Sequence, residues 1–258
     1  MQQDLDAIFK WANDWQLSIA IDKIFMLHLG INNPKVIYSI NNLSIMTVNS
    51  VKDLGVFITD DLSWRPHMVQ LSKKAYRVCN AILHSFKSHN VNLYMRAFDS
   101  YVLPIAQYCC YVWYPVLCKD IDLIENIQRC FTRRVFRKCN LPRVSYVERL
   151  QLLNRSSLEK RRLIISLTML YNIYNNHIVC NILNNIRSLP IGAVNLRGHT
   201  KRMFVPFCKS AFRKRFFTYN LIPIWNVLPN VTVISNVSTA FSQRLLNFNF
   251  NMFTRFDF

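Results

Sequence analysis

The sequence predicts a mainly α-helical protein that begins with a small α/β piece. Of its 258 residues 51% are hydrophobic, enough for a sizeable core, and only four are glycine. Long stretches repeat apolar residues at helical spacing, whereas alternating patterns are short and confined to the N-terminal part. Few glycines and long helical periods favour helices over a many-turned β fold.

The α/β piece opens with a predicted amphipathic helix over residues 3–17, because Leu5, Ile8 and Ala12 fall on one side. Asn32-Asn33-Pro34 then marks a turn. Short strands are predicted at 24–30, 36–41, 44–49 and 54–58. We expect this piece to be too small for a self-sufficient fold.

Residues 64–88 form the clearest helix of the sequence. Its apolar residues fall three and four apart and predict one buried stripe: Trp64, Met68, Leu71, Ala75, Val78, Ile82 and Phe86. Lys73, Arg77 and Lys87 fall on the opposite face. That face is either available to a phosphate backbone or simply solvated.

The next predicted helix covers 91–117; it is apolar and is bent or ended near Pro104. Another helix is predicted at 120–138. The second has acidic residues at its start and basic residues at its end, which suits the helix dipole. Arg129, Arg133 and Arg137 also repeat at every fourth position. We interpret them as a basic ridge, since a dipole-complementing end needs fewer arginines.

After Pro142, a short helix is predicted at 145–152 and a long one at 157–187, followed by a possible linker at 188–196. Residues 196–218 interleave phenylalanines with cations. The candidate cations are Lys201, Arg202, Arg213, Lys214 and Arg215. This pattern fits single-stranded nucleic acid held by phosphate contact and base stacking, or a basic surface strand with its phenylalanines in the core.

The formal net charge of +18 is large and uneven. Residues 1–61 carry four basic and seven acidic residues, whereas residues 129–162 carry eleven basic and two acidic ones. A basic part after a mildly acidic one points to a polyanionic partner, nucleic acid before membrane. We therefore predict that the chain binds nucleic acid through the phosphate backbone.

Eight scattered cysteines include no CxxC pair, which predicts free thiols in a reducing compartment. The N-terminus does not have the form of a signal peptide. The expected location is intracellular, in cytoplasm or nucleus. The uncharged runs 100–118 and 163–186 contain prolines or asparagines, so we expect no membrane span; a membrane-associated basic protein is the third alternative.

Motifs of nucleotide-binding, hydrolase, metalloprotease and kinase chemistry are absent from the sequence. Polymerase chemistry needs two metal ions held by neighbouring carboxylates, and the tempting pair is Asp60-Asp61. A turn followed by a helix N-cap explains that pair without a metal. We predict no metal site and no cofactor in this chain.

A set of short phrases, taken in order, resembles the C-terminal part of a non-LTR (LINE-type) retrotransposon reverse transcriptase. The phrases are Trp11-x3-Trp15-x-Leu17, Lys23, Lys52-Asp53-Leu54-Gly55-Val56, Leu62-x-Trp64-x2-His67, Trp113-x-Pro115, Glu125-x2-Gln128-Arg129, Tyr146-x2-Glu148-Arg149-Leu150, Leu158-Glu159-x-Arg161-Arg162 and Trp225-Asn226-x-Leu228-Pro229. Each phrase is weak alone, and their order and spacing carry the resemblance.

The resemblance implies a palm remnant at 1–61, a helical thumb at 62–140 and a basic, α-rich C-terminal region at 141–258. Lys23 would act as the acid for the leaving pyrophosphate in an intact palm. Residues 52–56, namely Lys52, Asp53, Leu54, Gly55 and Val56, would form the primer grip. Arg161 and Arg162 would join the nucleic-acid-binding set.

The family's Tyr/Phe-Ala-Asp-Asp motif has no counterpart here, and neither do its fingers and upstream palm. The parent enzyme would use Mg²⁺, and this chain alone is expected not to extend a primer. The resemblance thus implies a fragment of an RNA-directed DNA polymerase that binds its template–primer, RNA or an RNA–DNA hybrid, through the phosphate backbone. The alternative is a non-enzymatic RNA-binding protein derived from such an element.

Overall fold

Helices make up most of the part of the chain that the structure describes, as the sequence predicts. The computed structural model describes residues 1–30, 32–41, 43–179, 198–205, 207–209, 213 and 216–256. It divides the chain into two compact units, Met1–Val69 and Gln70–Phe258. The first predicted boundary, at 61/62, moves to 69/70, and the second, at 140/141, falls inside the second unit.

Before α2, the described residues of unit 1 form one helix, a 3₁₀ turn and six short strands. The elements are α1 (Gln2–Asp14), the 3₁₀ turn Ile21–Lys23, β1 (Phe25–Met26), β2 (Ser39–Ile40), β3 (Leu43–Ser44), β4 (Met46–Thr47), β5 (Ser50–Asp53) and β6 (Val56–Thr59). They pair as three separate two-stranded sheets, β1–β4 parallel, β2–β3 antiparallel and β5–β6 antiparallel.

All four predicted strands are shorter or divided in the structure, and the one predicted at 36–41 pairs only at Ser39–Ile40. The strand predicted at 24–30 pairs only at Phe25–Met26, and the one at 44–49 is split between β3 and β4. The strand predicted at 54–58 begins at Val56. Leu54 and Gly55 form the turn between β5 and β6, with φ of 43° and 86°, and extended backbone is excluded at those angles.

Unit 1 has a small core and a large exposed apolar surface. Ala12, Ile40, Ile45 and Val56 are buried within it. Its exposed large apolar side chains are Ile8, Trp11, Trp15, Leu17, Phe25, Leu29, Val36, Ile37, Leu43, Met46 and Leu54. This much exposed apolar surface is more than single scattered side chains would give.

Unit 2 is helical throughout its described elements. After α2 (Arg65–Ser85), which crosses the boundary, come α3 (Val91–Ala97), a π-helical turn (Phe98–Val102), α4 (Leu103–Gln107), α5 (Cys118–Lys138), α6 (Tyr146–Leu152), α7 (Leu158–Tyr174), α8 (Phe217–Val227), α9 (Asn230–Val233) and α10 (Ser238–Leu246). Near Pro104, where the sequence predicts a bend or an end, the π-helical turn passes into α4.

Two predicted helices stop early. The helix expected over 91–117 ends at Gln107, two residues before Cys109 takes a left-handed φ of 49°. The helix expected over 157–187 ends at Tyr174, and Asn176 then has a φ of 58°. Asparagine tolerates this conformation and commonly ends helices. Residues 180–187 and the predicted linker 188–196 lie outside the described residues.

The core of unit 2 joins α7 to the C-terminal helices. Trp225 is fully buried; its ring centroid lies 5.7 Å from that of Phe241, which stacks on Tyr171 at 4.5 Å. Trp225 Nε1 donates to the Lys201 carbonyl at 2.8 Å, and Asn226 pairs with both backbone groups of Met203. The Trp225–Pro229 phrase therefore stabilises the packing of this region.

In the described ranges, no helix is long and apolar enough to cross a membrane. The seven cysteines within them are free thiols, most of them buried or half-buried.

Candidate nucleic-acid interface

Three of the sequence phrases meet at the buried carboxylate of Glu125 on α5. Glu125 accepts hydrogen bonds from the backbone N–H groups of Leu158 at 3.1 Å and Glu159 at 2.9 Å. These are the first residues of α7, whose N–H groups have no partner within the helix. The Tyr146 hydroxyl donates to the same carboxylate. Glu125 is fully buried and thus joins α5, α6 and α7.

Gln128 and Arg129 extend this polar network. Gln128 Nε2 donates to the Tyr146 hydroxyl at 3.2 Å and to the Ser156 carbonyl at 3.1 Å. The Arg129 guanidinium lies 5.2 Å from the ring centroid of Tyr146 and 4.9 Å from that of Phe256. Arg129 is half-buried between two rings, so it contributes packing and a cation–π contact.

The network crosses residues 140/141, where the sequence predicts a domain boundary. The chain after residue 140 returns to α5, where Arg149 of α6 donates to the Val144 carbonyl at 2.7 Å and to Thr132 Oγ1 at 3.3 Å. Ser145 and Glu148 form a capping box at the start of α6. Helices on both sides of residue 140 consequently share one polar core.

Helices α2 and α5 run side by side in the same direction. Tyr76 faces Cys130, Asn80 accepts from Arg134, and Lys138 Nζ donates to the Phe86 carbonyl at 2.6 Å. The residue numbers of the contacting positions increase in the same direction along both helices, so the two helices are parallel. Lys138 Nζ also donates to the Leu83 carbonyl, near the C-terminal end of α2, where helix carbonyls lack partners within the helix.

This pairing brings two basic stripes to one face. The positions of α2 that touch α5, such as Tyr76 and Asn80, define a contact line along α2. Successive helical residues are rotated by about 100°, so Lys73 and Arg77 lie roughly a quarter-turn to one side of this line. Arg133 and Arg137 lie a similar angle to the opposite side of the contact line on α5. The two helices are parallel and their contact lines face each other, so opposite rotations bring the two basic stripes to the same side of the helix pair. We call these four exposed residues the α2/α5 basic face.

Among the described residues, the four cations of the α2/α5 basic face form no ion pair or hydrogen bond. Lys87, which follows the end of α2, is also exposed. This arrangement presents four positive charges to solvent without neutralising carboxylates. Such a surface can neutralise a phosphate backbone.

Arg161 and Arg162 do not reach that surface. Arg162 is 1% exposed, and its three guanidinium nitrogens have no hydrogen-bond partner in the structure. Arg161 is half-buried, and burial lowers the pKa of its guanidinium. The prediction that Arg162 contacts nucleic acid is therefore corrected, because its side chain is buried within the fold.

The candidates in 196–218 are divided. Lys201 donates to Asn175 Oδ1 at 3.0 Å and lies over the Tyr174 ring, and the half-buried Arg202 lies against Gly198, so both pack within the fold. Arg213 is exposed and lies 5.6 Å from the Tyr219 ring centroid. Lys214 and Arg215 fall outside the described residues.

The palm-like residues of unit 1 are placed in a 3₁₀ turn and a hairpin. Lys23 is exposed at the end of the 3₁₀ turn. Lys52 and Asp53 end β5, Leu54 and Gly55 form the turn, and Val56 begins β6. The Phe57 N–H donates to His67 Nδ1 at 3.3 Å, which ties the hairpin to the first turn of α2.

The carboxylates of Asp60 and Asp61 close the turn before α2. Asp61 Oδ1 accepts from Thr59 Oγ1 at 2.6 Å and from the Ser63 N–H at 2.9 Å. The Thr59 hydrogen bond is the main cause of the lowered pKa of Asp61. In the described part of the chain, no three His, Cys, Asp or Glu side chains come together as metal ligands. The residues present thus do not fit a polymerase metal pair.

Two arginines beside the basic face were not among the predicted site residues. Arg143 and Arg149 lie next to Arg133 and Arg137 around one cavity. In the sequence, Arg143 follows Pro142, and Arg149 lies in the last turn of a short helix. Neither position falls on a basic stripe. Only the return of the chain to α5 brings them together.

No protein-family model and no solved structure matches the chain. An uncharacterized protein of Caenorhabditis elegans is 33% identical to it over 129 residues, which are 50% of this chain. The chain covers 65% of that relative, which is somewhat less than two thirds of its length. Since the relative is itself uncharacterized, the likeness shows a related sequence and assigns no activity.

Proposed function

We propose that this chain is the template–primer-holding part of a non-LTR reverse transcriptase, an RNA-directed DNA polymerase. Unit 1 would be the end of the palm, α2 to α5 the thumb, and the rest a basic C-terminal region. The observation that carries the proposal is the α2/α5 basic face, four exposed cations on two parallel helices. A pair of parallel basic stripes suits a duplex backbone better than a single one.

The phrases behind the resemblance support the proposal in a second way. Glu125, Tyr146 and the start of α7 come from three separate phrases and meet at one buried carboxylate. Residues that form one network constrain each other's identity and spacing. The phrases therefore behave as parts of a single folded region, as the resemblance requires.

The uncovered apolar surface of unit 1 supports the palm assignment. Trp11 on α1 is 56% exposed and Trp15, just after α1, is 68% exposed; among the described residues β1 pairs with one strand, β4. In the proposed parent enzyme, the remaining palm would cover this surface and extend the sheet. Reverse transcription would place the protein in the cytoplasm or nucleus, where its RNA is found.

The test is binding of an RNA–DNA duplex, measured by fluorescence anisotropy. With four phosphate contacts, the affinity should fall about a hundred-fold between about 50 and 200 mM salt. The double variant Arg77→Gln/Arg133→Gln should reduce both the affinity and the salt slope. The control Lys74→Gln/Arg96→Gln removes two exposed charges outside the face and should leave both nearly unchanged. A salt-insensitive affinity would contradict the proposal.

The proposal assigns binding to this chain and leaves the metal-dependent chemistry to the carboxylates of the parent palm. Purified protein given Mg²⁺, deoxynucleotides and a template–primer should produce no extended primer. Templated extension would show that the assignment of roles is wrong.

A second candidate is a non-enzymatic RNA-binding protein derived from such an element. The parallel basic helices and their polar core serve this role equally, because neither depends on a palm. The two candidates differ at unit 1. Soluble, monodisperse protein would favour the second, whereas association through the apolar surface of unit 1 would favour the first.

A further inference from the structure

A cavity of about 570 Å³ lies at the edge of the α2/α5 basic face. Its walls are the C-terminal half of α5, the loop 140–144 and Arg149 of α6. Arg133, Arg137, Arg143 and Arg149 line it, and its lining includes no Asp or Glu from the part of the chain that the structure describes. The volume falls in the range of sites for small organic ligands, about 300–1,000 Å³, and would hold a nucleotide-sized group.

The cavity concentrates positive charge that the protein does not neutralise. Arg149 is 7% exposed, and burial lowers the pKa of its guanidinium, with repulsion from Arg133 and Arg129 adding to the effect. Arg133, Arg137 and Arg143 are exposed and form no ion pair among the described residues. A bound anion would relieve this repulsion, so the site is energetically prepared for one.

The cavity is also held in a fixed shape. The Leu141 N–H donates to the Phe136 carbonyl at 2.9 Å where α5 ends, and Asn140 there has a left-handed φ of 56°. Pro142 restricts the next step of the loop. Arg149 donates to the Val144 carbonyl at 2.7 Å and so closes the loop onto α6. The loop backbone and the Arg149 side chain are therefore in place before an anion binds, which lowers the conformational entropy lost at those groups.

We propose that this cavity binds the terminal phosphate monoester of a nucleic-acid strand. A backbone phosphodiester carries one charge and continues on both sides, which suits the open α2/α5 basic face. A terminal monoester carries up to two charges and leaves one side free, which suits a recessed site with four guanidiniums. The proposal rests on the proposed function only in taking the ligand to be nucleic acid.

The test compares two RNA oligonucleotides that differ only in a 5′-phosphate or a 5′-hydroxyl group. The 5′-phosphorylated strand should bind the full-length chain about ten-fold more tightly. Arg143→Gln should abolish that preference and leave the affinity for the 5′-hydroxyl strand nearly unchanged. Arg96→Gln, which removes an exposed arginine outside the cavity, should keep the preference. The preference should also weaken below about pH 6, where the monoester loses its second charge.

Each outcome decides between the proposals. Equal affinity for the two strands, or a preference that Arg143→Gln does not change, would overturn the cavity assignment while leaving backbone binding intact. Failure to bind either strand would overturn the proposed function instead. Inorganic pyrophosphate should compete away the 5′-phosphate preference. If neither strand binds but pyrophosphate does, and Arg143→Gln removes the pyrophosphate binding, the cavity is a site for free phosphate compounds. The strand-end assignment is then wrong.

Discussion

A single buried carboxylate organises the polar core of unit 2. Glu125 lies within α5 but caps α7, which begins 33 residues later, and it also receives the hydroxyl of Tyr146. Negative charge is stabilised at a helix N-terminus by free N–H groups and by the helix dipole. Replacing it therefore removes hydrogen bonds that three helices share.

We predict that Glu125→Gln lowers the free energy of unfolding of unit 2 by about 2 kcal/mol, because it weakens charge-assisted hydrogen bonds in the interior. Asp122→Asn on the same helix is the matched control. Asp122 pairs with Arg255 at 3.1 Å on the surface, so its loss should cost less than about 1 kcal/mol. Urea denaturation followed by circular dichroism measures both; equal effects would contradict the role assigned to Glu125.

At the scale of elements, α5 has two functions on different faces. One face buries Ile124, Phe131 and Val135 together with Glu125, and the other presents Arg133 to solvent. The β5–β6 hairpin shows a similar division. Its strands pair regularly from Ser50 to Thr59, and its turn depends on one glycine.

We predict that Gly55→Ala destabilises the β5–β6 hairpin by about 1 kcal/mol, because a Cβ is strained at its φ of 86°. Leu54→Asn should have the opposite sign: Leu54 has a φ of 43° and is 83% exposed, and Asn-Gly is the favoured pair for such a turn. Hydrogen exchange at the amides of Val56–Thr59 reports both changes. Unchanged protection in Gly55→Ala would contradict this account of the turn.

At the scale of the whole molecule, the two units differ in how much apolar surface each one buries. Unit 1 has a few buried side chains and two exposed tryptophans, whereas unit 2 fully buries Trp113 and Trp225. Hydrophobic burial is the main favourable term in folding, so the two units should differ in stability.

We predict that unit 1 opens at a lower urea concentration than unit 2. Pulse-labelling hydrogen exchange should show peptides from residues 1–69 becoming labelled first, while peptides from α5 and α7 stay protected. The buried Trp225 provides an independent readout, because its fluorescence should shift only in the second transition. One coincident transition for all peptides would mean that the two units unfold cooperatively.

The sequence by itself determined the mainly helical class, the positions of α1, α2, α5 and α6, and the uneven charge. These features depend on periodicity, capping residues and composition, which are local properties. Of the predicted ridge Arg129, Arg133 and Arg137, the last two are exposed, whereas Arg129 is half-buried. Local patterns were less reliable for strand ends, since pairing of short strands depends on distant partners.

Only the tertiary structure decided which basic residues share a surface. Arg162 and Arg133 have the same charge and helical context, yet α7 is buried and α5 is half-exposed. Arg143 and Arg149 joined the cavity because Glu125 and Tyr146 bring the chain back to α5 after Pro142. Burial and long-range contact are set by packing between helices, and a residue's immediate neighbours in sequence do not encode them.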